Sequence, residues 1–341
     1  MDHRAILEAA LDGQDLARAR AREMLGHVLD GGVDGHWLAG WLVALRAKGE
    51  TVDELAGMAE AMRDHASRVD TGIDGLVDTC GTGGDGADTF NVSTASAFVA
   101  AGAGAKVAKH GNRAVSSRCG SADVLEELGG VIDLGADDVA ACIREVGFGF
   151  QFAPRHHAAM RHAAPARKGL GVRTAFNLLG PLTNPAGAVH QVIGVFAADR
   201  LDIVAHTLAA LGTGRSLVVH GRDGLDELSV CAVSDARLVD GDAVSALEVD
   251  PAVLGLGPHA ADALRGGDAA MNAAIIRNVL DGAPGAARDI VTLNASAALL
   301  AAGITEDLAD GVKRARRAID DGRAADVLAR WTRFTQERAA S

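Results

Sequence analysis

The chain has 341 residues, 48% hydrophobic and 23% charged, with a formal net charge of −12 at pH 7. That length and apolar content suit two domains or one large α/β body, while the acidic balance argues against nucleic acid or anionic lipid as a partner, because such binding rests on a basic surface. No run approaches the roughly 18 uncharged apolar residues of a membrane span, the polar N-terminus lacks a signal-peptide layout, and four cysteines without CxxC spacing (Cys80, Cys119, Cys142 and Cys231) read as free thiols of a reducing cytoplasm.

Residues 1 to about 70 carry helical periodicity only. Trp37, Trp41 and Leu45 in HWLAGWLVALR recur at four-residue spacing, which predicts a helix whose tryptophans face the core or a second subunit. Thr51, before an acidic turn, reads as the cap of the next helix. After Asp74 the pattern changes. AKVAK, GVIDL, QVIGVFA, SLVVH and DIVTLN read as short strands, and LDIVAHTLAALG and ASAALLAAG as helices. Such alternation predicts strand–helix units on a largely parallel sheet. AFNLLGPLTNPAGA, with a turn at Asn184-Pro185, reads as a connection between bodies.

Charge is unevenly spread. Thr89–Ala122 holds no Asp or Glu in 34 residues, and Val146–Ala198 none in 53, where an even spread gives about 4.5 and about 7. The first window carries Lys106, Lys109, Arg113 and Arg118; the second carries Arg155, Arg161, Arg167, Lys168 and Arg173. Clearing acids from two basic windows predicts a local anion site. The plain alternative is buried Gly/Ala-rich chain, which would shed cations as well.

Four stretches carry chemistry. In DTCGTGGDGADTFNVSTASAF, glycines 81, 83 and 84 let main-chain N–H groups turn toward an anion. Ser93 and Thr94 then offer hydroxyls where a helix begins, with Asn91 placed to cap it. KHGNRAVSSRCGS follows the predicted strand AKVA, so it lies at a strand's C-terminal end, where open α/β sheets bind ligands. There Lys109 offers a cation, and Ser116, Ser117 and Ser121 offer donors to phosphate oxygens. Cys119 has no base partner nearby in sequence and reads as packed. In FAPRHHAAMRHAAPARKG, His156 and His157 are adjacent and cannot readily share a metal, while Arg167 could pair with a carboxylate through two parallel hydrogen bonds. In HGRDGLDELS, the neighbouring hard oxygens of Asp226 and Glu227 suit Mg²⁺ beside a polyphosphate; a solvated acidic turn is the alternative.

GTGGD, NVST, KHGNRAVSS, GSADVLEELG, FAPRHH, Arg167, RTAFNLLGPLTNP and GLDELS together resemble the anthranilate phosphoribosyltransferase family, in order and spacing, from near the N-terminus to the last predicted helix, VKRARRAIDDGRAADVLARW. The resemblance implies transfer of a phosphoribosyl group from phosphoribosyl pyrophosphate to anthranilate in tryptophan synthesis. It also implies a cytoplasmic homodimer of the nucleoside phosphorylase/phosphoribosyltransferase type, with a small helical domain and a larger α/β domain around a mostly parallel central sheet. The domains implied are 1–70 joined by about 164–188, and 74–163 with 189–341. Phosphoribosyl pyrophosphate would meet Gly81, Gly84, Asp85, Thr89, Asn91, Val92, Ser93, Thr94, the loop Lys109, His110, Gly111, Asn112, Arg113, Ala114, Val115, Ser116 and Ser117, and Ser121. Anthranilate would meet Gly81, Asn112, His157, Arg167 and Gly180; Ser93, Asp226 and Glu227 would hold Mg²⁺. Lys109 would act electrostatically, with no covalent intermediate and no obligatory base. The chain departs from the family at Cys119, where Ser is usual, and at Gln151, where an apolar residue is usual. Gln151 would place a polar group beside the acceptor, which leaves transfer to another aromatic amine open. Nucleoside phosphorolysis and a non-catalytic binding relative are the remaining alternatives.

Overall fold

The computed structural model describes residues 2–114 and 118–340, so Val115, Ser116 and Ser117 of the expected loop lie outside the described residues. The chain opens with α1 (His3–Leu11), α2 (Arg18–Leu29), α3 (Gly35–Lys48) and α4 (Val52–Asp64). Their starts follow local chemistry. The Asp2 carboxylate accepts from the Ala5 N–H, Asp34 accepts from His36 and Trp37, and Thr51 forms a reciprocal capping box with Glu54. Glu54 is fully buried, and its second task is to accept from the Leu16 N–H and from Lys48 Nζ. Trp41 lies in the core, and Trp37 stacks on it at 5.8 Å.

The remaining chain builds one seven-stranded sheet. Its elements in order are β1 (Val77–Asp78), α5 (Val92–Gly102), β2 (Val107–Gly111), α6 (Ser121–Glu127), α7 (Ala136–Val146), β3 (Phe148–Phe152), α8 (Ala153–His156), α9 (Ala164–Leu170), α10 (Phe176–Leu179), β4 (His190–Gly194), α11 (Leu201–Ala210), β5 (Ser216–Gly221), β6 (Ser234–Asp240), β7 (Ala243–Val249), α12 (Ala269–Leu280), α13 (Ala286–Ala301), α14 (Leu308–Asp320) and α15 (Arg323–Ala339). The order across the sheet is β3-β2-β1-β4-β5-β6-β7. The first five strands in that order are parallel, and β6 and β7 add an antiparallel hairpin at one edge. From β1 the chain first builds outward on one side and then, at β4, on the other. That reversal makes the β1/β4 boundary the place where loops part at the strands' C-terminal ends and leave a crevice.

Strand pleating separates two environments. Val77, Val107, Phe148 and Phe150 face the core shared with α5, α13 and α15. His110 lies opposite Gln151, and Asp78 opposite Gln191, so these polar residues share the other face. There they meet the 153–186 segment, and a second core joins α1–α4 to α9–α11. Among the described residues, no helix is long and apolar enough to cross a membrane.

Several expected elements differ. GVIDL is irregular, and DIVTLN lies inside α13. Residues 290–301 of α13 are all buried, so that stretch shows no polar stripe, and its β-branched run mimics a buried strand. FGFQF forms β3, which the sequence reading missed, as it missed the β6–β7 hairpin. The predicted last helix is two helices, broken at Gly322, whose φ of 71° is left-handed. AFNLLGPLTNPAGA is no loose connection: it forms α10 and the 3₁₀ turn Pro181–Thr183, and its residues 181–185 are buried.

Candidate active site

The glycine turn leaves β1 at the sheet's reversal point. Gly83, Gly84 and Gly86 all have positive φ, between 65° and 81°. Gly81 serves differently: a Cβ there would come within 3.2 Å of both Asp226 Oδ2 and the Gly194 carbonyl oxygen. Gly194, at the end of β4, has no room either, because its Cβ would overlap the Asp226 carbonyl. Close backbone approach at both residues lets the turn and the acidic loop interlock.

The interlock is direct. The Gly83 N–H donates to Asp226 Oδ2 at 2.8 Å, and the Asp226 N–H donates to Asp85 Oδ2 at 3.4 Å. The Ser93 backbone N–H, in the first turn of α5, pulls the Glu227 carboxyl down. The glycine turn thus bonds one of the two neighbouring acids, and the start of α5 acts on the other through its field. Electrostatics follow from this crowding. Burial, then the Asp85 carboxylate, push Asp226 up to about 7, against the pull of the Gly83 N–H. Burial, then Asp226, push Glu227 well above the carboxylate range, against Lys109 and the Ser93 N–H.

Lys109 does not stand in the opening. It is 2% exposed, and its ammonium donates to the Thr79 carbonyl at 2.8 Å and to the hydroxyls of Thr79 and Ser93 at 3.3 Å. It braces the turn against α5 and acts on the acids through its field. Ser93 is half-buried beside it, whereas Thr94 and Val92 are buried and can offer a ligand only main-chain groups. Asn91 occupies the cap position of α5 without capping it through its side chain. Its amide instead donates to the Cys119 carbonyl and accepts from Asn272, tying the 112–120 loop to α12. Thr89 bridges to Arg265, which fixes the far end of the glycine loop.

In the 109–121 loop, Asn112 is exposed and its carbonyl accepts from the Ser121 hydroxyl. A Cβ on Gly111 would collide with that hydroxyl and with Phe150. Asp123 shapes the loop by accepting from the N–H groups of Ala114 and Gly120. Arg113 does not offer a free charge: its guanidinium pairs with Glu126 and Asp123, two acids just beyond the first acid-free window. The other window cations also scatter. Lys106 donates to the Arg144 carbonyl, Arg155 pairs with Asp133, Arg161 donates to the Ala158 carbonyl, and Arg118 and Lys168 are exposed. Besides Lys109, Arg173 is the window cation that, among the described residues, bonds the glycine turn. It donates to the Gly84 carbonyl and stacks over Phe196 at 4.1 Å, while its own carbonyl accepts from Arg46 of α3. Burial of β3, the 181–185 stretch and β4 explains much of the second window's lack of acids.

The expected acceptor residues form a layer under the 153–186 segment. His110 Nδ1 lies 3.2 Å from the Gly180 carbonyl, and the rings of His110 and His157 are 5.1 Å apart. Burial holds both imidazoles neutral at pH 7, His110 well below its usual range and His157 down to about 4. Each leaves Nε2 buried without a partner among the described residues. Arg167 is half-buried, 5.0 Å over the Phe176 ring, with no ion-pair partner among the described residues. Gln151 is fully buried and turned away from solvent, its Oε1 accepting from the Ala186 N–H at 3.3 Å. Cys119 is 6% exposed, and burial pushes its thiol up to about 11, which fits a packed residue.

Sequence reading missed the support beneath this layer. Asp78 is fully buried and accepts from the His110 N–H and from Asn184 Nδ2, which also donates to the Ala108 carbonyl at 2.7 Å. Burial lifts Asp78 to about 6, against Lys109 and Asn184. Asp78, Cys80 and His110 place three donor atoms within 4.8 Å of one another, yet both carboxylate oxygens of Asp78 are already engaged by protein. Asn184 before Pro185 was legible as a turn, but nothing local marks it as the partner of a residue 106 positions away. A groove of about 620 Å³ between α2 and α4 lies apart from all this, and in its lining Arg18 pairs with Glu60 and Arg22 with Asp64.

Comparison with known proteins agrees with the fold and the motifs. Residues 74–325 match the model of the glycosyl transferase family, a/b domain, and residues 4–66 that of the glycosyl transferase family, helical bundle domain. An anthranilate phosphoribosyltransferase of Anaeromyxobacter dehalogenans is 53% identical over 318 residues, covering 93% of this chain and 94% of that one. The crystal structure of the enzyme of that name from Thermus thermophilus superposes with a TM-score of 0.92 at 44% identity, covering 97% and 99% of the two chains. The Saccharomyces cerevisiae enzyme, solved in complex with phosphoribosyl pyrophosphate and Mg, gives 0.89 at 26% identity over 98% of each chain.

Proposed function

We propose a function from one premise: the chain belongs to the anthranilate phosphoribosyltransferase family. It transfers the phosphoribosyl group of phosphoribosyl pyrophosphate to the amine of anthranilate, releasing pyrophosphate. The observation that carries this reading at the site is the bond from the Gly83 N–H to Asp226, with Glu227 next in the chain and drawn down by the Ser93 N–H. The glycine turn and the two acids meet where β1 and β4 part, and together they suit a diphosphate with a divalent cation.

The donor set fits Mg²⁺. Two adjacent carboxylates whose pKa values are both raised by burial and by neighbouring carboxylates lack a positive neighbour close enough to balance them. Asp226 and Glu227, with the Ser93 hydroxyl, would hold the cation. When bound, Mg²⁺ neutralises charge on the diphosphate oxygens and so stabilises the leaving group.

The chain's residues do the rest by position and field. As the C1–O bond to pyrophosphate breaks, positive charge develops on the ribose, an oxocarbenium-like state, and negative charge develops on the leaving group. With Asp226 and Glu227 engaged in holding Mg²⁺, the N–H groups of Gly83 and Ser93 would be available to phosphate oxygens. Lys109 adds a buried positive field beneath them. Arg167 would receive the acceptor's carboxylate. Neutral His110 and His157 would line the acceptor's approach with Asn112, Gly81 and Gly180. The amine is neutral and loses its proton only after attack, so no residue is asked to form a covalent intermediate or act as a strong base; positioning supplies most of the rate. Gln151, buried against Ala186, gives no reason to favour another aromatic amine.

The same reading makes the protein a cytoplasmic homodimer. Leu11 of α1 and Val43 of α3, 67% and 45% exposed, support a subunit contact through the N-terminal helices. It divides the chain into 1–70 with about 164–188, and 74–163 with 189–341. Packing of α9 on α3 and the Arg63 hydrogen bond to the Leu182 carbonyl support that division. The test is direct. Purified protein with anthranilate, phosphoribosyl pyrophosphate and Mg²⁺ should consume anthranilate fluorescence, and chelation should stop it. No consumption, or consumption indifferent to chelation, would overturn the proposal; sedimentation at the monomer mass would overturn the dimer.

A further inference from the structure

We propose that Asn294 is a positioning residue for the acid pair: from α13 it holds the Leu228 backbone and thereby sets where the carboxylates of Asp226 and Glu227 stand. The inference rests on the reading of those two residues as cation ligands. Asn294 Oδ1 accepts from the Leu228 N–H at 3.0 Å, and its Nδ2 donates to the Leu228 carbonyl at 2.9 Å. One side chain thus pairs with both main-chain polar groups of a single residue, as a neighbouring strand would. Only Asn or Gln carries the donor and the acceptor this needs. The second Nδ2 hydrogen goes to the Ile290 carbonyl one turn back, which fixes the amide's orientation on its own helix. Asn294 is 2% exposed in a helix buried from residue 290 to 301, so the brace is rigid.

The Leu228 N–H belongs to the peptide that begins at Glu227. Holding that peptide plane limits the direction in which the Glu227 side chain leaves the loop. The loop is braced again on its far side. Ser229 donates its hydroxyl to Asp223 Oδ2 at 2.6 Å, and the same hydroxyl oxygen accepts from the N–H groups of Cys231 and Ala232. Without Asn294, the Leu228 N–H and C=O would be buried and unpaired, and the loop would relieve this by moving. The two carboxylates would then no longer meet one cation in one geometry.

The test compares Asn294→Leu, which removes donor and acceptor at similar volume, with Asn294→Asp, which keeps the acceptor for Leu228 N–H. Ser296→Ala serves as control, a buried hydroxyl on the same helix that donates to the Leu293 carbonyl at 2.7 Å. Two readouts are taken: the Mg²⁺ concentration giving half-maximal turnover, and calorimetric affinity for phosphoribosyl pyrophosphate with Mg²⁺ in the absence of anthranilate. Loss of an outer partner of a metal ligand costs about 10–100-fold in metal affinity. Both readouts should therefore weaken by that order in Asn294→Leu and by less in Asn294→Asp. The anthranilate KM should hold, and excess Mg²⁺ should restore kcat. An unchanged Mg²⁺ dependence in a folded variant, a loss that excess Mg²⁺ does not restore, or an equal shift in Ser296→Ala would overturn the proposal. Should Asn294→Leu not fold, Asn294→Asp decides alone, joined by amide exchange in the wild type: the Leu228 N–H should exchange as slowly as the interior of α13, and exchange at loop rates overturns the brace. A wild-type protein that neither binds nor uses phosphoribosyl pyrophosphate with Mg²⁺ takes down the functional reading and this inference together. Normal wild-type behaviour with insensitive variants takes down the inference only.

Discussion

Protonation of the acid pair should control how tightly the site takes its cation, and the size of the effect follows from the crowding of three carboxylates. In the ligand-free protein Asp226 titrates near 7, raised by burial and by Asp85 and lowered by the Gly83 N–H. Glu227 is raised by burial and by Asp226 and opposed by Lys109 and the Ser93 N–H. A cation requires both carboxylates ionised, so binding below pH 7 must expel a proton. One proton with a midpoint of about 7 weakens binding about tenfold between pH 8 and pH 6, and Glu227 steepens the slope toward two protons. The sign for stability is opposite. A carboxyl whose folded pKa is raised holds its proton more tightly when folded, so the stability it contributes is full below the ordinary value of 3.8 and is lost as pH rises toward about 7. Ligand-free protein should therefore lose stability from these groups across that window, while the thermal upshift given by phosphoribosyl pyrophosphate with Mg²⁺ should grow. The assay is calorimetry in buffers of different ionisation enthalpy at pH 6, 7 and 8, which counts protons released on binding. Substrate phosphates titrate near pH 6 themselves, so Asp226→Asn is measured alongside. The wild type should release about one proton more than the variant near pH 6. Equal release by the two proteins, or a Mg²⁺ affinity flat from pH 6 to 8, would refute the reasoning.

Arg167→Ala should raise the anthranilate KM and leave the affinity for phosphoribosyl pyrophosphate unchanged in steady-state kinetics, since the guanidinium has no ion-pair partner among the described residues to disturb. Asn184→Leu removes the donors to Asp78 and to the Ala108 carbonyl, both buried, while the Ala186 N–H keeps Gln151 Oε1 as acceptor. At about 1–3 kcal/mol for each of the two groups left unpaired, denaturant unfolding at pH 7 should show a loss of at least about 2 kcal/mol, and a loss under about 1 kcal/mol would contradict the bonding described. Gln151→Leu removes a buried amide whose Nε2 has no partner among the described residues, so stability should change by less than about 1 kcal/mol and the preference for anthranilate over other aromatic amines should stay the same in competition assays.

How much could be read locally is clearest from particular residues. Thr51 announces a helix cap, and the structure has it, closed further by Glu54 into a capping box. Glycines 81, 83 and 84 announce a turn free of side-chain obstruction; Gly83 and Gly84 take left-handed backbone there, and Gly81 does not. AKVAK, residues 105–109, announces a strand, but β2 forms two residues later, so Lys109, His110 and Gly111, expected in the loop, lie in the strand. DIVTLN misleads, because a helix buried on all sides and a buried strand share one pattern. Asn91 misleads in the opposite way: its local preference for a cap loses to two distant amide partners, Cys119 and Asn272.

Legible along the chain was whatever a few adjacent residues settle: glycine turns, caps, the α/β alternation, and the motif set whose order identifies the family. How those parts are charged and joined came only from the packed fold. It put the Asp226 carboxylate on the N–H of Gly83, 143 positions away. It buried Lys109 under the turn that it was expected to face, and paired Arg113 with Glu126. It placed Asn294 behind the acid loop from a distance of 66 positions. The difference is one of range. Backbone preference is settled within a turn or two of chain, whereas desolvation, ion pairing and hydrogen-bond satisfaction depend on whichever groups folding brings within a few ångströms, and no local pattern names them.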